Sequence, residues 1–325
     1  CGDTFLTRLP DPVLQQMENF GDPTFGVNDA FKPVSRYWDR ITHPAQIIQS
    51  LPAALATMLD PADCGPAFLG LPQDVQGWSY DYPSAFFEKR VHRIRRQLPD
   101  RGEIADAVAA LSKAERPIII AGGGVQYSGA VTELTAFVER HRVPVVETIA
   151  GRANLLDTHP LNIGPIGVTG SDSANAIAEQ ADTILAVGTR LQDFTTGSWT
   201  AFAKDAQCIS LNAARHDAGK HRALPVVGDA KIGLKALTDG LKDHKTPEKW
   251  VEFAQAARTK WTAYVQENVS FGDNRPNSYA QAIGVVHAPC PPRDRVVAAA
   301  GRPPAEGTPE WRTPGAGNVP VEIGF

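Results

Sequence analysis

The sequence is short of cysteine, of excess charge and of long apolar runs, and each shortage removes a class of protein. Four cysteines in 325 residues (Cys1, Cys64, Cys208 and Cys290) stand far apart and form no CxxC pair. Zinc sites and disulfide frameworks need closer or patterned spacing, so reduced thiols in a cytoplasmic protein are expected. The net charge of −4 and pI near 6.1 carry no basic surplus. Nucleic acid and anionic membrane surfaces are therefore not expected as partners. No apolar run approaches the roughly 20 residues that span a bilayer. No basic stretch leading into an apolar core stands near Cys1, so no secretory signal is expected. GxSxG elbows, HExxH helices and P-loops are missing too, and no catalytic residue is named from a motif. His216 and His221 are the one close histidine pair, and a five-residue separation on a helix points them in different directions, so no metal ligand is assigned.

What remains is a chain with 42% hydrophobic residues, enough for a sizeable core and about two domains. Three regions separate by pattern. Residues 1–95 mix proline-bounded helical stretches with one apolar strand candidate, within Cys64 to Gln76. Residues 96–245 alternate strand and helix regularly. Residues 246–325 begin with a polar, tryptophan-containing helix and end in a proline-rich tail that admits no long helix, because each proline lacks an amide donor and fixes φ.

The middle region is the most legible. Pro117-Ile118-Ile119-Ile120-Ala121 is a β-branched run ending in Gly122-Gly123-Gly124, a buried strand entering a tight turn. Val131, Leu134, Phe137 and Val138 share one helical face. Val143–Val146 is the next strand. Ser171 to Ala181 opens on N-cap residues and turns Ala174, Ile177 and Ala178 inward. Thr183–Val187, Cys208–Leu211 and Val226–Val227 are further strands, and Ile232–Leu241 is a closing helix. Strands that are apolar throughout and separated by helices predict an α/β fold: a doubly wound parallel sheet covered on both faces.

Two segments suggest chemistry. The turn Gly122–Gly124 follows a strand and precedes a helix, where backbone amides cradle phosphates. The dinucleotide fingerprint wants a third glycine, but that position holds Tyr127; Glu147 stands roughly where a ribose-binding acid falls. A dinucleotide site and a ligand-free tight turn both remain open. The run Asn28 to Trp38, with Asp29, Lys32 and Arg36, either lines a polar substrate channel or forms a surface loop over packed aromatics.

Gly65-Pro66-Ala67-Phe68-Leu69, followed by Leu71-Pro72-Gln73-Asp74-Val75, resembles the end of the pyrimidine-binding domain in the acetolactate synthase group of thiamine-diphosphate enzymes. Pro117 to Gly124, Ala181 to Arg190 and Gly228-Asp229-Ala230-Lys231 resemble that group's central domain. Cys1 to Phe5, Pro10 to Gln16, Asn28 to Arg40 and His92-Arg93-Ile94 are similar to its branch that hydrolyses a cyclic dione in myo-inositol catabolism. The resemblance implies thiamine diphosphate as electron sink, Mg2+ bridging the diphosphate to oxygen ligands, and opening of a ring carbon–carbon bond to 5-deoxyglucuronate. It also implies a homodimer or homotetramer. Residues 1–95 would be the later part of the pyrimidine-binding domain, 96–245 the central domain, and 246–325 a linker helix and the start of the diphosphate-binding domain.

The departures matter as much. The group's activating glutamate is expected before Cys1 and its GDG…N motif after Phe325, so the chain reads as an internal fragment, inactive alone. Gly301 is the one thiamine-diphosphate contact that carries over. For a nucleotide on the central domain, with NAD the candidate, Gly123, Gly124, Gly188 and Arg190 are the expected contacts. Asn212 replaces the acid of flavin-containing relatives and speaks against FAD. The alternative is a nucleotide-binding or purely structural central domain.

Overall fold

A computed structural model describes residues 1–7, 19, 21–270 and 278–287. The chain divides into two compact units, the first ending at Arg95 and the second starting at Arg96.

In the first unit, β1 (Gly2–Asp3), β2 (Tyr37–Arg40) and β3 (Ala67–Pro72) form a parallel sheet in the order β1-β3-β2. Helix α1 (Ile47–Met58) connects β2 to β3. Successive side chains of a strand point to opposite faces, and β2 uses both. Trp38 stacks on Phe68, and Arg40 carries an ion-pair network. Tyr37 and Asp39 line a cavity with α1.

The second unit is the doubly wound sheet. Its strands are β4 (Pro117–Ala121), β5 (Val145–Glu147), β6 (Asn162–Pro165), β7 (Thr183–Val187), β8 (Gln207–Asn212) and β9 (Leu224–Val227). All pair in parallel, in the order β6-β5-β4-β7-β8-β9. The helices are α2 (Arg101–Leu111), α3 (Val131–His141), α4 (Asp172–Gln180), α5 (Ala230–Leu241), α6 (Glu248–Val269) and α7 (Tyr279–His287).

Alternation along β4 splits the core. Ile119 and Ala121 join Leu111, Leu134, Phe137 and Leu234 on the face of α2, α3 and α5. Ile118 and Ile120 join Ala174, Ile177 and Trp250 on the face of α4 and α6. Each fully buried isoleucine contributes about 1.5–3 kcal/mol over an exposed one. Pro117 is tolerated in this central strand because it is the first residue, and its carbonyl accepts the Trp250 indole N–H at 2.9 Å. Ser171 caps α4 by accepting from the Ala174 amide, and Asp229 caps α5 through the Lys231 amide.

The expected strands and helices of the middle region are present, with Val145–Glu147 displaced slightly along the chain from Val143–Val146. Strand β6 was not expected. Asn162 and Gly164 break the apolar pattern, and the strand exists through its pairing with β5 across a register shift. Pro10 to Gln16, Arg295 to Gly301 and the proline-rich tail lie outside the described residues.

Candidate functional site

In open parallel sheets, ligands bind beyond the carboxyl ends of the strands, where the strand order reverses. Here that point lies between β4, the first strand of the unit, and β7, the fourth. Gly122–Gly124 leave β4 there and Gly188–Arg190 leave β7; of the predicted residues Gly124 and Gly188 come into contact, whereas Gly123 faces Ala150 and the Arg190 side chain does not join them.

The local geometry gives the glycines a packing task. The Gly122 amide donates to the Val187 carbonyl and the Gly124 amide to the Gly188 carbonyl, each at 2.9 Å. A Cβ on Gly122 would meet the Gly188 carbonyl oxygen at 2.4 Å, and one on Gly124 would meet the Gly188 Cα at 2.7 Å. Gly188 itself adopts φ +58°, a left-handed conformation that costs side-chain-bearing residues strain. Two backbone turns thus cross in contact, and two of the three amides of the glycine run are already spent. The helical segment beyond, Gly123–Tyr127, is barely one turn long.

The neighbouring turns close the crossing further. Asn154, fully buried, donates from Nδ2 to the Gly122 carbonyl at 2.8 Å. Asn212 donates to the Thr189 carbonyl at 2.9 Å and accepts from the Ala214 amide at 2.9 Å. The residue that departs from the flavin pattern is therefore a clamp on the β7 turn. Arg190 extends into solvent, 3.9 Å from Asp217, and its carbonyl accepts from Lys220 Nζ at 2.7 Å.

Glu147 corrects an expectation. It is fully buried, paired with Arg152 at 3.1 Å, and it accepts from the Leu155 amide at 2.9 Å. Burial pushes its carboxyl upward, against the pull of Arg152 and of the hydrogen bonds from Leu155 and Asn162. A ribose-binding acid must reach solvent; this one holds the loop from β5 to β6 against the core.

The first unit places the other predicted residues. Asp29 is buried and bound on three sides: Lys32 Nζ at 2.6 Å, Arg40 Nη2 at 2.8 Å and the Gly26 amide at 2.7 Å. Arg40 also reaches Asp3, likewise buried, at 2.6 Å. Burial raises the Asp29 carboxyl, but the hydrogen bonds from Lys32, Arg40 and Gly26 outweigh it and hold the group at about 2. Lys32 lies 4.2 Å from the Trp38 ring centroid. Arg36 does not join them; it pairs at 3.4 Å with Asp63, both side chains exposed. Sequence reasoning did not single out Asp3 and Arg40, because their pairing joins positions 37 residues apart along the chain. Gly301 lies outside the described residues.

His216 and His221 occupy separate short helical turns, and His221 has φ +57°. Among the described residues no group of three or more His, Cys, Asp or Glu side chains is placed to hold a metal ion. None of the described helices is long and apolar enough to cross a membrane.

Comparison with known proteins adds a family. Residues 104–237 match the model of the thiamine pyrophosphate enzyme central domain. A protein of Geobacillus thermodenitrificans (strain NG80-2), named 3D-(3,5/4)-trihydroxycyclohexane-1,2-dione hydrolase, is 42% identical over 275 residues, covering 84% of this chain and 43% of that protein. A protein of the same name from Bacillus cereus (strain AH820) is 41% identical, covering 87% of this chain and 46% of its own length. Another, from Bacillus anthracis (strain CDC 684 / NRRL 3495), is 44% identical, covering 80% and 40%. The chain spans less than half the length of these curated relatives.

Proposed function

This chain carries the central domain of the thiamine pyrophosphate enzymes and belongs to that family, and from that premise we propose that it serves a 3D-(3,5/4)-trihydroxycyclohexane-1,2-dione hydrolase. The observation that carries the reading is identity of 41–44% to proteins of that name across 80–87% of the chain. The reaction is hydrolytic opening of a ring carbon–carbon bond, with 5-deoxyglucuronate as product and a dimer or tetramer as the working assembly.

Thiamine diphosphate, when bound, supplies a nucleophilic carbon and an electron sink for such a cleavage. The described residues do not fit that group or its Mg2+. They gather no set of metal-holding side chains, and the glycine turn has spent two amides on Val187 and Gly188. No chemical step is therefore assigned to them. Their part in this reading is mechanical: the Gly122–Gly188 crossing, Glu147–Arg152 and the Asn212 clamp give the carboxyl edge of the sheet one fixed shape. NAD has no support from this geometry.

Replacing the segment of the Bacillus cereus relative that matches residues 104–237 of this chain with those residues tests the reading. Retained dione hydrolysis supports it; a folded chimera without hydrolysis overturns it. Calorimetry of this chain with thiamine diphosphate and Mg2+ tests the mechanical role, for which no binding is expected, and micromolar binding contradicts it.

A further inference from the structure

Within the second unit, the end of α3 meets the loop between α5 and α6 at a corner that leaves three polar atoms unanswered. His141, in the last turn of α3, is 1% exposed, and its Nδ1 lies 2.7 Å from the His244 carbonyl. A carbonyl only accepts, so Nδ1 carries the proton and Nε2 presents a bare lone pair. The Thr246 amide donates to the His141 carbonyl at 2.9 Å, which fixes residues 244–246 against the helix end. His141 Nε2, His244 Nε2 and Thr246 Oγ1 are all shielded from water, and none has a hydrogen-bond partner among the described residues. Lys245 is exposed between a half-buried His244 and a buried Thr246, so the chain alternates and turns those two side chains inward together.

Buried polar atoms without partners are costly, and three at one corner need a common explanation. The His141 ring has the arrangement that orients metal-ligating histidines: one nitrogen donates to a backbone carbonyl and the other is left free. Burial, the largest cause, holds His141 below its ordinary 6.5, which keeps the ring in the neutral form that ligates. The neighbouring cation is engaged elsewhere, since Arg140 pairs with Asp243 at 3.5 Å and donates to the Lys242 carbonyl at 2.9 Å. Imidazole nitrogen suits Zn2+, Ni2+ or Cu2+, whereas Mg2+ takes oxygen ligands. We propose that His141 Nε2 and His244 Nε2, with Thr246 Oγ1, bind one divalent transition-metal ion of the zinc type. Two histidines are fewer than a full set of three His, Cys, Asp or Glu ligands, so water completes the shell. The inference does not rest on the hydrolase reading.

Calorimetric titration of the full chain with Zn2+ tests it, alongside thermal melts with and without the ion. One saturable site is expected, and bound Zn2+ should raise the melting temperature. His244→Ala keeps the carbonyl that holds His141, so its metal-free melting temperature should change little. Its Zn2+ affinity should fall by at least the roughly 10–100-fold that follows loss of an outer-shell partner. His141→Gln should abolish the same binding; if that core variant misfolds, His244→Ala alone decides. Replacing the exposed His216 and His221 with alanine should leave the affinity unchanged. Absence of saturable Zn2+ binding, affinity untouched by His244→Ala, or loss of binding in the His216 and His221 variant would each overturn the proposal.

Discussion

Substituting Arg40 with leucine leaves Asp3 and Asp29 buried without the guanidinium that bridges them, and Asp29 keeps only Lys32 and the Gly26 amide. Breaking a buried ion pair from one side costs about 3–5 kcal/mol, far more than an exposed pair such as Arg36–Asp63. Urea unfolding should show Arg40→Leu strongly destabilised and Arg36→Leu nearly neutral. Acid acts on the same network. The Asp29 carboxyl lies at about 2, below its ordinary 3.8, so its contribution to stability is present above the ordinary value and lost as pH falls through the folded one. His141 works at milder pH. It is buried in the last turn of α3 with Nδ1 on the His244 carbonyl at 2.7 Å, and its Nε2 has no partner. Burial depresses its pKa below 6.5, with Arg140 and His244 adding to the effect and the His244 hydrogen bond and Asp243 opposing it. The unfolded chain then takes up the proton first, so stability declines as pH drops below about 6.5. Thermal melts from neutrality to about pH 5 should show the decline, and His141→Gln should flatten it. None of these partners was legible in advance, because burial and pairing join residues distant in sequence: Asp3 to Arg40, His141 to His244.

The turn after β4 and the turn after β7 depend on each other. Alanine at Gly188 would demand φ +58° of a side-chain-bearing residue and press its Cβ to 2.7 Å from the Gly124 Cα. At Gly219 the nearest atom would lie at 3.6 Å, an ordinary contact. Gly188→Ala should therefore cost about 2 kcal/mol or more and lower the melting temperature by several degrees, with Gly219→Ala close to wild type by calorimetric scanning. The elements these turns join were plain in the sequence. Ile118–Ile120 and Thr183–Val187 are β-branched or aliphatic without interruption, and both faces of the strands they form are covered. Strand β6 was invisible for the opposite reason: its polar Asn162 faces Glu147 and the Leu155 carbonyl, a demand set by the loop above it.

Between the two compact units runs a stretch unlike either. Residues 88–98 are exposed, without helix or strand, and carry Lys89, Arg90, Arg93 and Arg95 with no ion pair among the described residues. Arg96, by contrast, is tied to Asp229 at 2.8 Å. Proteases cut where the backbone is accessible and unpaired. Brief trypsin digestion should cleave first between Lys89 and Arg95, and mass spectrometry should find a resistant product beginning there. Early cleavage within 117–241 would contradict the compactness of the second unit.

The order of apolar runs, caps and turn glycines determined the α/β class and the doubly wound sheet without help, because the periods that make strands and helices are local properties of the chain. The tertiary structure alone decided what the conspicuous residues do. It turned the glycine run into a crossing with Gly188, Glu147 from an expected ribose contact into a buried partner of Arg152, and the Asp29 run into an anchor for Arg40. A residue's task follows from the atoms packed around it and the water it has lost, and both are set by segments far away along the chain.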